Sequence, residues 1–358
     1  MTKDKNLSVV NYDDLQSKTM DWLRFPLMVA VCFIHTKKID PNLTTWIGTY
    51  NIYWGISQVV ARIAVPLFFV ISGYYFFYNK HGEKSFTKAS YKQKLKKRIH
   101  TLIIPYIIWN LFYLLYNTLG LNIVRLILHQ ELPTYDAMYF INAFTGITSK
   151  YPSNVPTWFL RNLIVTVVLS PIIYFLIKKL KLFYIFTLGI LWLILYQSTS
   201  VTFISTFFFF SLGAYFSINN LNIIKYVRKL SFYPIIVYIL FIIADISLKD
   251  TFLRWYIHRI GILIGMTSVL IIVSYLIEKG KIHCNKLLSE SSFFMFVFHG
   301  LPIVFVSIGL YYILPTNDIC MLFTYFFSVT LVSVVSVWAY KLLKRYFPKF
   351  TAVITGGR

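Results

Sequence analysis

Ten long apolar stretches, separated by short polar segments, dominate this 358-residue chain. Each is close to the ~20 residues that an α-helix needs to cross a bilayer. Charged residues make up only 13% of the sequence, against about 25% in soluble domains, so they cannot cover a water-soluble globule of this size. The pattern predicts an all-α, polytopic integral membrane protein with about ten transmembrane helices, near residues 21–37, 58–78, 101–120, 157–177, 182–197, 203–218, 232–247, 256–277, 291–313 and 319–340.

The distribution of Lys and Arg predicts how these helices are oriented. With the N-terminus in the cytoplasm, 25 of the 35 basic residues fall in inside segments and six in outside segments. Cytoplasmic loops carry such an excess, so both termini are predicted to be cytoplasmic. The net charge of +22 indicates anionic membrane lipids as partners rather than nucleic acid. The predicted organisation is a cytoplasmic tail at 1–20, a transmembrane domain at 21–341 and a cytoplasmic tail at 342–358.

Two ionisable residues share one face of the first predicted span. A charged side chain at the bilayer centre costs about 2.5–3.5 kcal/mol, so such residues are functional candidates. Arg24 and His35 are eleven residues apart, which is about three helical turns and ~16 Å along the axis. A neutral imidazole can take a proton from a hydroxyl, as a general base does. The structural alternative is that Arg24 reaches the membrane surface and His35 hydrogen-bonds a neighbouring helix.

Further candidates lie in the second predicted span and in the basic run just before the third. Arg62 has no acidic residue within a helical turn, so it needs a partner elsewhere or an anionic ligand. Ser72 and Gly73 form a small-residue face that favours close helix packing. Arg98 ends a basic run whose lysines fix topology, and arginine suits bidentate contacts to phosphate.

Three more interpretations concern the later spans. Trp158 and Arg161 place an aromatic ring beside a cation, as in a wall that binds a sugar or a carbonyl, although a membrane-surface anchor is the alternative. His299 is predicted to lie mid-helix among aromatic residues, either in the site or as a core histidine. Asp245 is expected to pair with His258 or Arg259 in a structural contact.

Taken in order, these stretches resemble the acyltransferase 3 family of bacterial membrane proteins. The similar segments are Arg24 to His35, 65–74 (VPLFFVISGY), the basic run ending at Arg98 before Pro105-Tyr106, 158–161 (WFLR) with Ser170-Pro171, 208–215 (FFFSLGAY), and 292–294 (SFF) with His299.

The resemblance implies a ten-helix core that moves an acyl group, often acetyl, from cytoplasmic acyl-CoA to a hydroxyl of an envelope polysaccharide or lipid-linked sugar. It implies His35 as the catalytic base, with transient acceptance of the acyl group by His35 as the alternative, and the bacterial inner membrane as the location. Substrate-binding roles are expected for Arg24, Arg62, Ser72, Arg98, Trp158, Arg161 and His299. The second basic position before Pro105 is His100 here, where arginine is more usual in the family.

Two other functions stay open at this point. A transporter or flippase for an anionic or glycolipid substrate would use the buried arginines without consuming acyl-CoA. A non-catalytic membrane subunit would use them only to hold helices together. No bound cofactor and no metal are expected, since acyl-CoA would be a donor substrate. A homodimer is the one protein assembly considered.

Overall fold

The computed structural model describes residues 10–78, 86–195 and 199–357. Within these ranges all regular secondary structure is helical, which confirms the predicted all-α class. Four parts of the predicted organisation lie outside the described residues: 1–9 of the N-terminal tail, 79–85 of the basic segment, 196–197 at the end of the fifth predicted span, and the terminal Arg358.

The α-helices of the described ranges follow the predicted spans closely but divide several of them. They are α1 Tyr12–His35, α2 Ile47–Trp54, α3 Ala64–Phe77, α4 Lys88–Arg98, α5 Ile104–Leu115, α6 Leu121–Ile127, α7 Ala137–Thr145, α8 Trp158–Val168, α9 Ser170–Leu180, α10 Leu182–Ile194, α11 Thr199–Ile218, α12 Ile223–Val227, α13 Tyr233–Ser247, α14 Leu253–Glu278, α15 Lys286–Phe298, α16 Gly300–Ile313, α17 Asp318–Tyr346 and α18 Pro348–Thr355.

Length and composition identify four to seven membrane crossings in the described part of the chain. Four helical runs are long and apolar enough to cross alone: 47–77, 88–127, α14 and α17. Three helix pairs qualify when each is counted as one bent span, namely α8 with α9 (63°), α11 with the α12 region (99°) and α15 with α16 (72°). The protein is therefore a multi-pass membrane protein. The count of ten and the orientation of the termini stay predictions.

Short irregular segments join several helices into the longer runs. A π-helical segment at Gly55–Val59 and a 3₁₀ segment at Val60–Ile63 connect α2 to α3. A second π-helical segment, Ile99–Ile103, connects α4 to α5. Such departures from α geometry are frequent at functional sites because they re-aim side chains. Arg62 lies in the 3₁₀ segment, and Arg98 directly precedes the second π-helical segment. Both arginines are candidates from the sequence analysis.

Helices α3 and α11 cross with their backbones in direct contact. A Cβ on Gly73 would overlap the carbonyl oxygen of Phe210, and a Cβ on Gly213 would overlap that of Val70. Only residues without a side chain permit such an approach. The predicted close packing is confirmed at Gly73, and its reciprocal glycine lies in the segment 208–215.

Helix α1 is the central element around which the site is built. It packs against α3, α14 and α15, and its inner face belongs to the main apolar core. At the other end of the chain, α18 packs against α5, where the Trp109 indole N–H donates to the carbonyl of Ile354 (3.0 Å). Gly356 follows in a left-handed conformation (φ 70°) with its backbone against Thr101. The C-terminal segment is thereby brought back to the mouth of a cavity beside α1.

Candidate active site

A cavity of about 580 Å³ runs beside α1 from Arg24 to His35. We call it the His35 cavity. Charged side chains from Arg24, Lys97, Arg98 and Glu290 line it toward one end. Apolar and aromatic side chains make up most of the remaining wall, as is usual for ligand cavities: Met28, Val31, Val65, Phe68, Ile71, Tyr75, Leu102, Pro156, Trp158, Phe159, Leu160, Leu163, Phe293 and Phe296.

His35 is the last residue of α1, and its half-buried imidazole lines this cavity. Its ring centroid lies 5.2 Å from that of His299, at an angle of 60° between the planes. Within the described ranges, neither imidazole nitrogen of His35 donates or accepts a hydrogen bond. The ring is thus open to a ligand on its cavity side.

His299 is fully buried behind His35 and lines neither large cavity. Its Nδ1 lies 3.0 Å from the carbonyl oxygen of Met295 and 2.8 Å from that of Phe296. Carbonyl oxygens only accept hydrogen bonds, so Nδ1 carries the proton and donates. The other nitrogen, Nε2, is then an acceptor, and it is buried without a hydrogen-bond partner in the described structure.

The mid-helix position predicted for His299 is wrong. The residue lies at the junction of α15 and α16, where the axis bends by 72°. Pro302 has no N–H to offer the Phe298 carbonyl, which explains a break at this point. Polar side chains bind the freed backbone groups: Asn154 Nδ2 donates to the Val297 carbonyl (2.9 Å), and the Leu301 N–H donates to Tyr113 Oη (3.0 Å).

Two arginines stand at the charged end of the His35 cavity. Arg24 lines it while pairing with Asp21 at 3.0 Å, both side chains being 39% exposed. Arg98 is half-buried, lies 5.7 Å from the ring of Phe76, and has no carboxylate within ion-pair distance in the described part of the chain. The neighbouring carboxylate, Glu290, is bound to Lys344 (2.6 Å). Arg98 is therefore available to an anionic ligand at this mouth.

Trp158 and Arg161 have different surroundings although both begin α8. Trp158 lines the His35 cavity, as does Ser72 from α3. Arg161 lines neither large cavity. Its Nη1 donates to the backbone carbonyls of Thr145 (2.9 Å) and Lys150 (3.2 Å), and its Nε donates to Asn162 Oδ1 (3.1 Å). The guanidinium holds the loop after α7 in place.

Arg62 lies in a second cavity, of about 630 Å³, which we call the Arg62 cavity. Its Nη2 donates to Gln58 Oε1 (2.6 Å). The backbone of α1 separates the two cavities, because Ile34 and Thr36 line the Arg62 cavity while His35 lines the other. The imidazole therefore faces only the His35 cavity, and the backbone on either side of it borders the Arg62 cavity.

Asp245 pairs with His258 (Nδ1 to Oδ2, 2.6 Å), as predicted, and also with Arg254 (2.9 Å), which the sequence analysis did not consider. Arg259 does not join this cluster. Its guanidinium stacks on the ring of Trp255 at 3.7 Å. Arg254 follows a short turn after α13, and a nine-residue spacing to Asp245 gave no helical signal for the contact.

Comparison with known proteins identifies the family. Residues 17–339 match the acyltransferase 3 family, described as an acyltransferase domain. The chain belongs to the acyltransferase 3 family. This acyltransferase 3 protein is also similar to the succinoglycan biosynthesis protein ExoH of Rhizobium meliloti (strain 1021), with 26% identity over 215 residues.

That alignment with ExoH covers 58% of this chain and 55% of the relative, so the chain spans about half the length of the curated protein it matches. No solved structure matches. The predicted family resemblance is confirmed. An acyltransferase domain implies an acyl donor and an acceptor.

Proposed function

We propose that this protein is an O-acyltransferase that moves an acetyl group from cytoplasmic acetyl-CoA to a hydroxyl of an envelope polysaccharide or lipid-linked sugar. The observation that supports this most directly is the position of His35 in the wall between two cavities. The imidazole faces the His35 cavity, where the thioester would bind, and the Arg62 cavity begins at the neighbouring residues Ile34 and Thr36, so an acceptor bound there would lie close to the end of α1. The proposed location is the cytoplasmic membrane of a bacterium.

In this proposal the chain crosses the membrane ten times with both termini in the cytoplasm. The excess of basic residues in the inside segments supports that orientation. The charged mouth of the His35 cavity, with Lys97 and Arg98, then faces the cytoplasm. The phosphates of CoA would bind Arg98, since guanidinium groups bind phosphate in a bidentate manner. The pantetheine arm would follow α1 past Arg24 toward His35.

The proposed chemistry is direct acyl transfer. The acceptor hydroxyl oxygen attacks the thioester carbonyl carbon while His35 removes the hydroxyl proton. The tetrahedral intermediate then expels the CoA thiolate, which takes the proton from His35. A positioned general base of this kind contributes typically about 10²–10⁴-fold to the rate.

His299 would orient the base in this mechanism. Its Nε2 is an acceptor without a partner, and the two ring centroids are 5.2 Å apart, so in this proposal a protonated nitrogen of His35 turns toward it and donates during the reaction. The other nitrogen of His35 then presents its lone pair toward the substrates. His299 acts through His35 and is a positioning residue.

The decisive experiment uses purified protein in lipid nanodiscs with radiolabelled acetyl-CoA and the glycan extracted from the parent strain. His35→Ala and His35→Gln should reduce acetyl transfer at least ~10²-fold, whereas His283→Gln, at an exposed histidine, should not. Undiminished transfer by His35→Ala would reject the assignment. Movement of the glycan across the bilayer without loss of acetyl-CoA would instead support a transporter.

A further inference from the structure

The Arg62 cavity carries an excess of positive charge that no residue on its wall neutralises. Lys37, Lys38 and Arg62 line it, together with a single carboxylate, that of Asp40. Asp40 forms no ion pair in the described ranges, and its Oδ1 accepts the backbone N–H of Asn42 (2.9 Å). The carboxylate keeps its charge, so three cations and one anion line the cavity, an excess of two positive charges.

Arg62 is the most informative of the three cations. Its side chain is held by Gln58, whose Nε2 in turn donates to Tyr53 Oη (3.4 Å). Both partners are neutral, and in the part of the chain that the structure describes no carboxylate contacts the guanidinium. Removing a cation from water without a counter-ion is costly. A guanidinium that is pre-positioned by an amide and half-buried in a cavity is suited to an anionic ligand.

The rest of the wall indicates what else the ligand carries. The aromatic side chains of Tyr50, Trp54 and Tyr311 line the same space. Flat aromatic faces pack well against the C–H faces of sugar rings, while the tyrosine hydroxyls and the Trp indole can hydrogen-bond sugar hydroxyls. A cavity of about 630 Å³ lies in the usual size range for small ligands.

We propose that the Arg62 cavity binds the acceptor as an anionic saccharide, with its carboxylate or phosphate group on Arg62 and Lys37. This deepens the proposed function, because it assigns the acceptor to the space on the far side of α1 from the donor. It also predicts that the acceptor carries a negative charge. Binding itself does not depend on acyl transfer.

The test is equilibrium binding to the intact protein in nanodiscs, using three probes of similar size. They are a glucuronate oligosaccharide, its carboxyl-reduced glucose counterpart, and a glucose oligosaccharide bearing one phosphate ester. The variants are Arg62→Gln, Arg62→Lys and His35→Ala, each checked for folding by thermal unfolding. The carboxylate and phosphate probes distinguish the two sources of negative charge.

The wild-type protein should bind one of the anionic probes at least ~10-fold more tightly than the neutral probe, the difference that one charge-assisted contact gives. Arg62→Gln should remove that preference, and Arg62→Lys should keep part of it. His35→Ala should bind as the wild type does even where it has lost transfer, which separates this proposal from the proposed function. Equal affinity for all three probes, or an undiminished preference in folded Arg62→Gln protein, would overturn the inference.

Discussion

The imidazole rings of His35 and His299 lie 5.2 Å apart, yet one lines a cavity and the other is completely buried. The buried ring donates through Nδ1 to two carbonyls and keeps Nε2 as an acceptor without a partner. This arrangement fixes the protonation pattern of the inner ring independently of any substrate. Loss of the buried ring of His299 should therefore impair the reaction at His35.

His299→Ala should lower kcat for acetyl transfer by about 10²-fold, because the orienting acceptor is lost. The KM for acetyl-CoA should change little, since His299 does not line the cavity. His299→Gln, whose amide oxygen can accept a hydrogen bond near the Nε2 position, should recover part of kcat. Steady-state kinetics in nanodiscs measures both quantities. A purely structural role would instead give a reduced amount of folded enzyme with normal kcat per folded molecule.

Arg98→Gln should raise the KM for acetyl-CoA by about tenfold to hundredfold, the range expected for loss of a hydrogen bond to a charged group. kcat should be nearly unchanged, because Arg98 lies at the charged mouth rather than at His35. The matched control is Lys92→Gln, an exposed residue of the same helix that does not line the cavity. Equal effects of the two substitutions would mean that only general positive charge matters there.

Arg161→Gln should destabilise the protein by about 1–3 kcal/mol, because carbonyls of the loop after α7 lose their donor. The KM for acetyl-CoA should stay within about twofold of wild type, a change of less than 0.5 kcal/mol. Thermal unfolding and kinetics on the same preparation separate the two effects. A raised KM at unchanged unfolding temperature would show instead that Arg161 binds substrate, as its place in the family motif suggests.

Gly213→Ala should destabilise the protein by at least about 1–3 kcal/mol, because the added methyl group would overlap the Val70 carbonyl and push α3 from α11. Gly309→Ala is the matched control, since nothing lies within 4 Å of the position of its added Cβ. The control should be neutral or slightly stabilising, as helices favour alanine over glycine. Similar unfolding temperatures for the two variants would contradict this account of the helix crossing.

Binding of the anionic saccharide probe should weaken toward alkaline pH. Lys37 carries an ammonium group, which loses its charge at alkaline pH, whereas the guanidinium of Arg62 stays protonated. The groups around Lys37 are the rings of Tyr311 and Tyr312, with Lys38, Asp40 and Arg62 on the same cavity wall. The cationic form binds the anion, so affinity should fall as the pH rises and the ammonium is deprotonated.

Lys37→Arg is the control for this pH dependence, because arginine stays protonated throughout the accessible range. Its binding curve should decline less than that of the wild type, with Lys38 on the same wall accounting for the remaining decline. Titrating the probe from neutral to alkaline pH with both proteins measures the difference. A decline of equal size in the two proteins would assign the effect to another group.

Much of this architecture was predictable because membrane insertion constrains sequence strongly. Apolar length located the main helices but not α2, α4, α7 and α18, which lie outside the predicted spans. The eleven-residue spacing of Arg24 and His35 correctly put both on one cavity wall. Gly73 was recognisable as a packing residue because small residues are enriched where membrane helices approach closely. These are local signals that a single helix carries.

The parts that escaped prediction depend on contacts between distant segments. The bend at His299 was signalled only by Gly300 and Pro302, and membrane helices often contain both residue types without breaking. That Arg62 faces a different cavity from His35 depends on the irregular turns at 55–63, which apolar periodicity does not reveal. The contact between Arg254 and Asp245 was missed because it depends on the turn between α13 and α14, which apolar periodicity does not reveal either.

The bend between α15 and α16 also bears on how the chain is assembled in the bilayer. Peptide groups left unpaired in hydrocarbon cost several kcal/mol each, and here Asn154 and Tyr113, from segments made much earlier, satisfy them. The bent pair of α15 and α16 should therefore be unstable in the bilayer when it is first inserted. It should become stable only when it packs against those partners. The same docking event brings His299 behind His35, so that correct biogenesis and completion of the reactive centre coincide.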